Sequence, residues 1–167
     1  MASLGTYVPE EVTVLLAGLI PVEGFAAGTF VYIEKDIMPF TSVKTPDGTM
    51  ARMYHSDQTY TITLTLHNGS KTNDILTKLW QVDEITQRGK FPLFIKDHSG
   101  SDLFFSTTTW VEQLPALAKS GTADTRSWSL RSAQAVINIG GNDEASSLLQ
   151  DLVNMAASAL PAIEGII

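Results

Sequence analysis

Between Gln58 and His67 the chain alternates strictly. Tyr60, Ile62, Leu64 and Leu66 fall on one parity, and Thr59, Thr61, Thr63 and Thr65 on the other. Period-two patterning of this kind is the signature of a β-strand with one buried face. It commits the chain to a sheet whose apolar side must be covered by something else.

Other segments supply the cover. Strands are expected at 11–17, 28–35, 91–96, 102–111 and 126–139. The last of these changes phase: Trp128 and Leu130 share one parity, Ala133, Ala135, Ile137 and Ile139 the other. A one-residue slip exchanges the two faces of a strand, so a bulge near Arg131-Ser132 and a sheet that curls are expected. Asn68-Gly69-Ser70 marks a turn, and Ser70 is placed to cap a helix over about 71–88. Ile75, Leu76, Leu79, Trp80 and Val82 form its apolar stripe. Arg88 falls in its last turn, Gly89 suits the residue after its end, and Pro92 forbids continuation.

Asp36 to Ser56 is long for a connection. At its centre stands Thr45-Pro46-Asp47-Gly48-Thr49, a turn sequence, with Met38, Phe40 and Val43 before it and Met50, Met53 and Tyr54 after. The apolar flanks argue against disorder. They fit a hairpin that projects from the domain, with a loop folded back on the core as the alternative. A second helical segment is expected over about 144–159, stopped by Pro161. Its apolar residues include Leu149, Leu152 and Val153, and the tail ends in Ile166 and Ile167. Such a terminal segment docks either on its own domain or on a neighbour.

At 167 residues one domain is expected: a core over about 10–140, the hairpin at about 36–56 and an extension at about 141–167. The chain has 18 acidic and 11 basic residues and no cysteine. That removes disulfides and thiolate chemistry, and it argues against a surface that grips a nucleic acid backbone. The acidity lies at the ends. Residues 1–34 contain four acids and no base, residues 142–167 four more and no base, so the middle sums to +1. Val12 to Ile20 is too short for a membrane span and has no basic flank. A soluble protein made in the cytoplasm, without membrane insertion, is expected.

No chemical signature emerges. His55, His67 and His98 show no metal-ligand spacing, and neither a phosphate loop nor a nucleophile elbow is present. Asp97-His98-Ser99-Gly100-Ser101-Asp102 gathers acid, base and nucleophile types but reads as a polar turn. Asn68-Gly69-Ser70 fits a glycosylation pattern without a secretory signal to give it an occasion. Tyr32, Trp80, Trp110 and Trp128 lie on separate elements without interleaved bases, which favours core anchors over stacking platforms. No catalytic, cofactor-binding or metal-binding residue is assigned, and no enzyme activity is expected.

The stretches Gly28–Asp36 and Gln58–Leu66 and the helix from Asn73 through Trp80 resemble the tail tube proteins of contractile-tailed bacteriophages, over about residues 10–140. The resemblance implies a mainly β (α+β) fold: a β-barrel or sandwich of two sheets with one flanking helix, a long projecting hairpin and, here, a C-terminal helical segment. It is similar to the type VI secretion tube. It implies a structural protomer of the virion tail, assembled in the host cytoplasm into stacked hexameric rings around a channel for DNA and the tape-measure protein. The implied partners are the chain itself, tail sheath, tape-measure protein, baseplate and tail terminator. DNA passes through without specific binding.

On that reading Met38, Phe40, Val43, Pro46, Asp47, Gly48, Met50, Met53 and Tyr54 contact a neighbouring ring. Leu149, Leu152, Val153, Ile166 and Ile167 dock at the C-terminal side. Thr59, Thr61, Thr63 and Thr65 make either a short, uncharged lining for the lumen or an ordinary solvent-facing strand. The alternative of another class is a small β-barrel carrier with an apolar ligand inside. A hydrolase built on His98 trails both.

Overall fold

A computed structural model describes residues 5–141 together with Asn154 and Met155. The strands are β1 (Val12–Leu16), β2 (Ile20–Pro21), β3 (Val31–Lys35), β4 (Phe40–Lys44), β5 (Met50–Tyr54), β6 (Tyr60–His67), β7 (Phe91–Asp97), β8 (Leu103–Gln113), β9 (Thr125–Ser132) and β10 (Val136–Asn138). A helix, α1 (Thr72–Thr86), follows β6. The fold is mainly β.

One antiparallel sheet runs in the order β2-β1-β7-β8-β9-β6-β3, with β10 also on β8. Its inner face carries Leu16, Ile62, Leu64, Leu66, Leu93, Phe104, Trp128 and Leu130 in a single buried cluster. Residues from β1, near one edge, and β6, near the other, meet in that cluster, so the sheet curls around it. The edges of the sheet are β3 and the two-residue β2, and residues of β3 and of β1, next to β2, line one groove at the open seam. The interior is filled by side chains, as in a small barrel whose lumen is core.

α1 covers one end of this core through Leu76, with Ile75, Leu79 and Trp80 half-buried beside it. Val82, expected in the stripe, is exposed. The helix starts at Thr72, where the Ser70 hydroxyl accepts the Thr72 N–H at 3.2 Å, and it ends before Arg88. Its left-handed terminal residue is Gln87, not glycine. Gly89 is required for another reason: a Cβ there would stand 2.3 Å from that of Asp83. The helix is tied to the sheet by Asn73. Trp128 Nε1 donates to Asn73 Oδ1 at 2.8 Å, and Asn73 Nδ2 donates to the His67 and Ser70 carbonyls. A buried amide and indole are thereby both satisfied.

The strand expected at 11–17 forms as β1, and the chain then turns at Ala17-Gly18, both at positive φ, leaving Leu19 exposed. The 126–139 run stops at Ser132 and resumes at Val136, where a bulge near Arg131-Ser132 was expected. β9 and β10 lie on the same edge of β8 in one register, Thr109 opposite Ser132 and Phe105 opposite Val136. β8 changes its inward parity at the same level, from Phe104 and Ser106 to Thr109 and Val111. The phase change is therefore a corner through both strands. Ser106 and Ser132 share a hydroxyl contact there, and both donate to the Gln134 carbonyl, replacing the interrupted ladder.

Candidate assembly surfaces

β4 and β5 form a two-stranded sheet of their own, paired from Phe40 opposite Tyr54 to Lys44 opposite Met50. Every residue in both strands is exposed. The expected projecting hairpin is present. Phe40 and Tyr54 pack ring against ring at 5.4 Å, and the Arg52 guanidinium lies 3.4 Å over Phe40. Register divides the arm into two faces. Phe40, Lys44, Met50, Arg52 and Tyr54 share one; Val43, Ala51 and Met53 share the other.

The tip is held by Asp47. Its carboxylate accepts the Thr45 hydroxyl, the Thr49 hydroxyl at 2.8 Å and the Thr49 N–H at 3.1 Å. These bonds, the Thr45 hydroxyl first, lower its pKa to about 2. Gly48 supplies the left-handed residue of the turn at φ 88°. An isolated hairpin is marginal in water; the ring pair and this knotted tip are what stiffen it.

The threonine face of β6 lies on the outside of the curled sheet. Tyr32 and Glu34 of β3 flank it on one side, Ser127, Ser129 and Arg131 of β9 on the other. Tyr32 is exposed there and is no core anchor, whereas Trp128 is 2% exposed and is one. The face is polar but not uncharged. Asp36 accepts the hydroxyls of Thr59 and Thr61 and faces Arg131 at 3.5 Å. Burial works to raise the Asp36 pKa, and the Thr61 and Thr59 hydroxyls with Arg131 outweigh it, so the group lies below its ordinary value. Glu112 stands 4.0 Å from Arg131 and accepts Trp110 Nε1 at 2.7 Å.

At the open seam a groove of about 420 Å³ runs between β3, β10 and the β7–β8 end of the sheet, over Phe30, Ile33, Phe104 and Ile137, with Asp97 and Asp102 at one end. It is assembled from five separate stretches of chain, and no local pattern announced it. The Asp97–Asp102 segment closes the β7–β8 connection as a turn. Asp97 Oδ1 accepts the Ser99 N–H and hydroxyl, Asp102 Oδ1 accepts the Gly140 N–H, and the His98 N–H goes to the Glu11 carbonyl. The carboxylates of Asp97 and Asp102 and the Ser99 hydroxyl are thus engaged as turn chemistry. Among the described residues no group of acids and histidines could hold a metal, and no helix is long and apolar enough to cross a membrane. Leu149, Leu152, Val153, Ile166 and Ile167 lie outside the described residues.

The surfaces acquire a context from known proteins. The chain is 28% identical over 164 residues to structural protein ORF10 of Pseudomonas phage KPP10, covering 94% of this chain and 95% of the relative. It is similar to a phage structural protein along nearly its whole length. No family model matches. Among solved structures it is similar to the anti-feeding prophage cap, the tube-terminating cap, with TM-score 0.54, 16% identity, and 83% and 94% of the two chains covered. It is also similar to the sheath/tube terminator of the PVC extracellular contractile injection system in its extended state, with TM-score 0.53, 15% identity, and 82% and 100% covered. At such identities the likeness to these two is one of fold.

Proposed function

We propose that this chain is a structural protomer of a phage tail tube, without catalytic function, that polymerises into stacked hexameric rings of a contractile tail. The observation that carries the reading is the arm: an ordered hairpin with all ten strand residues exposed, bearing Phe40, Val43, Met50, Met53 and Tyr54. Apolar surface held out in water on a stiff stalk is a contact surface awaiting a partner. The free edge of β3 supports the same reading. An exposed strand edge invites pairing, and closure of copies into a ring removes it. The arm then reaches the next ring, with sheath, tape-measure protein, baseplate and terminator as further partners in the tail. The segment from 141 onward is the second docking element.

On this reading the polar outer face of β6 lines the channel. Thr63→Lys is expected to leave folding intact and to slow DNA release from particles carrying it, since each copy adds a cation to a wall that otherwise gives little counterion release. Ejection rates equal to wild type, in particles with normal tails, would put that face on the outside.

The similarity to two terminators favours a second reading, a cap that ends a tube. Negative-stain micrographs of the purified protein at high concentration separate the two. Tubes many rings long are expected for a protomer, single closed rings for a cap, and a monomer at every concentration overturns both.

A further inference from the structure

The seam groove has an apolar floor and an acidic end. The arm has a face on which both of its cations stand beside apolar and aromatic residues. We propose that the groove is the receptor for the arm of a second copy of this chain, entered by the Lys44–Met50–Arg52 face; this rests on the reading of β4–β5 as an assembly arm.

Charge selects the occupant. Asp97 and Asp102 are the charged residues lining the groove, and the chain at Glu11 meets the same turn, where the His98 N–H donates to the Glu11 carbonyl. Lys96 is the cation of that turn, and its Nζ is committed to the Gly100 carbonyl at 3.0 Å. The balance is negative. The C-terminal segment is apolar enough to compete, but it carries Asp143, Glu144, Asp151 and Glu164 and no base, so it meets like charge. The arm strands bring Lys44 and Arg52 on one face, between Phe40, Met50 and Tyr54. A cationic, apolar face against an acidic, apolar groove is a complementary pair, and the acids at its end fix the orientation.

Topology makes the contact propagate. The groove takes in Gly28 to Val31 and Ile33, the first half of β3, whereas the arm leaves the chain at Asp36, just past its end. Donor and receptor therefore sit toward opposite ends of one strand. A contact between unlike surfaces is heterologous, and where its rotation does not close on itself each added copy presents a fresh groove or a fresh arm, as an axial stack requires.

The chain has no cysteine, so an introduced pair reports one contact only. Met50 and Ile139 are 69% and 84% exposed, and Ile139 lines the groove. Two variants, Met50→Cys and Ile139→Cys, are mixed as dilute monomers, concentrated and oxidised. A disulfide-linked species of twice the chain mass is expected in the mixture, well above the level in either variant oxidised alone. It should fall at least tenfold when Lys44→Glu and Arg52→Glu are added to the first variant. Coupling of Met50→Cys to Leu117→Cys, an equally exposed site away from the groove, as efficient as to Ile139→Cys overturns the proposal. If deletion of the arm abolishes polymers while Met50→Cys never couples to Ile139→Cys, the groove is refuted and the arm stands. If polymers survive that deletion, both fall.

Discussion

Deletion of Val43–Met50 is expected to yield a monomer with wild-type thermal stability that forms no tubes at any concentration. None of the deleted residues belongs to the buried cluster, and β4 and β5 pair only with each other. The strands the arm joins keep their own register, Lys35 opposite Tyr60 through Val31 opposite Leu64, without help from it. Shortening an exposed connection changes its closure entropy by well under about 1 kcal/mol, so melting should shift by no more than a few degrees. Assembly has no such reserve. A ring-to-ring contact that loses its projecting apolar residues loses most of the binding energy, which a few central side chains carry. The measurements are a thermal melt by circular dichroism, sedimentation velocity and negative-stain microscopy. Tubes of ordinary length from the deleted protein would remove the arm from the assembly.

The features read correctly from sequence are those written locally. Tyr60 to Leu66 states its own period, and the strand forms with those four residues buried and the threonines outward. The arm declares itself through Thr45-Pro46-Asp47-Gly48-Thr49 between two apolar flanks, because turn chemistry and strand content lie within twenty residues. What escaped depends on distant partners. The parity change after Ser132 was visible, but its cause was not: β8 turns the same corner, and the two serines that bridge it are 26 residues apart. Gln87 takes the left-handed position two residues ahead of Gly89, with its N–H on the Asp83 carbonyl, and glycine is spent on the approach to Asp83. Val82 has the right spacing for the stripe but lies past the reach of the sheet. The seam groove shows the limit most plainly, since its walls come from the first third, the middle and the end of the described chain and exist only once the sheet has curled.

Leu64→Asp is expected to abolish folding at 25 °C. Leu64 is 0% exposed, and it pairs with Val31 on one side and Trp128 on the other, at the middle of the only strand that touches both β3 and β9. The substitution removes a large side chain from a close-packed site, at about 2–5 kcal/mol. It also inserts a carboxylate where none of the buried residues described is basic. An unpaired buried charge either stays ionised, at several kcal/mol, or takes up a proton and remains a polar group without a partner. The two penalties together match the entire stability of an ordinary domain, about 5–15 kcal/mol. Two controls isolate the cause. Leu64→Ala carries only the first penalty and should fold with a lowered melting temperature, whereas Thr63→Asp, one residue away on the outer parity, should melt near wild type. The readout is the environment of Trp128, buried and hydrogen-bonded to Asn73 in the native protein. Leu64→Asp should show the red-shifted emission of a solvated indole and no cooperative transition. A cooperative melt with native emission would mean that the alternating face of β6 is not the wall of the core, and the curled sheet built upon it would have to be redrawn.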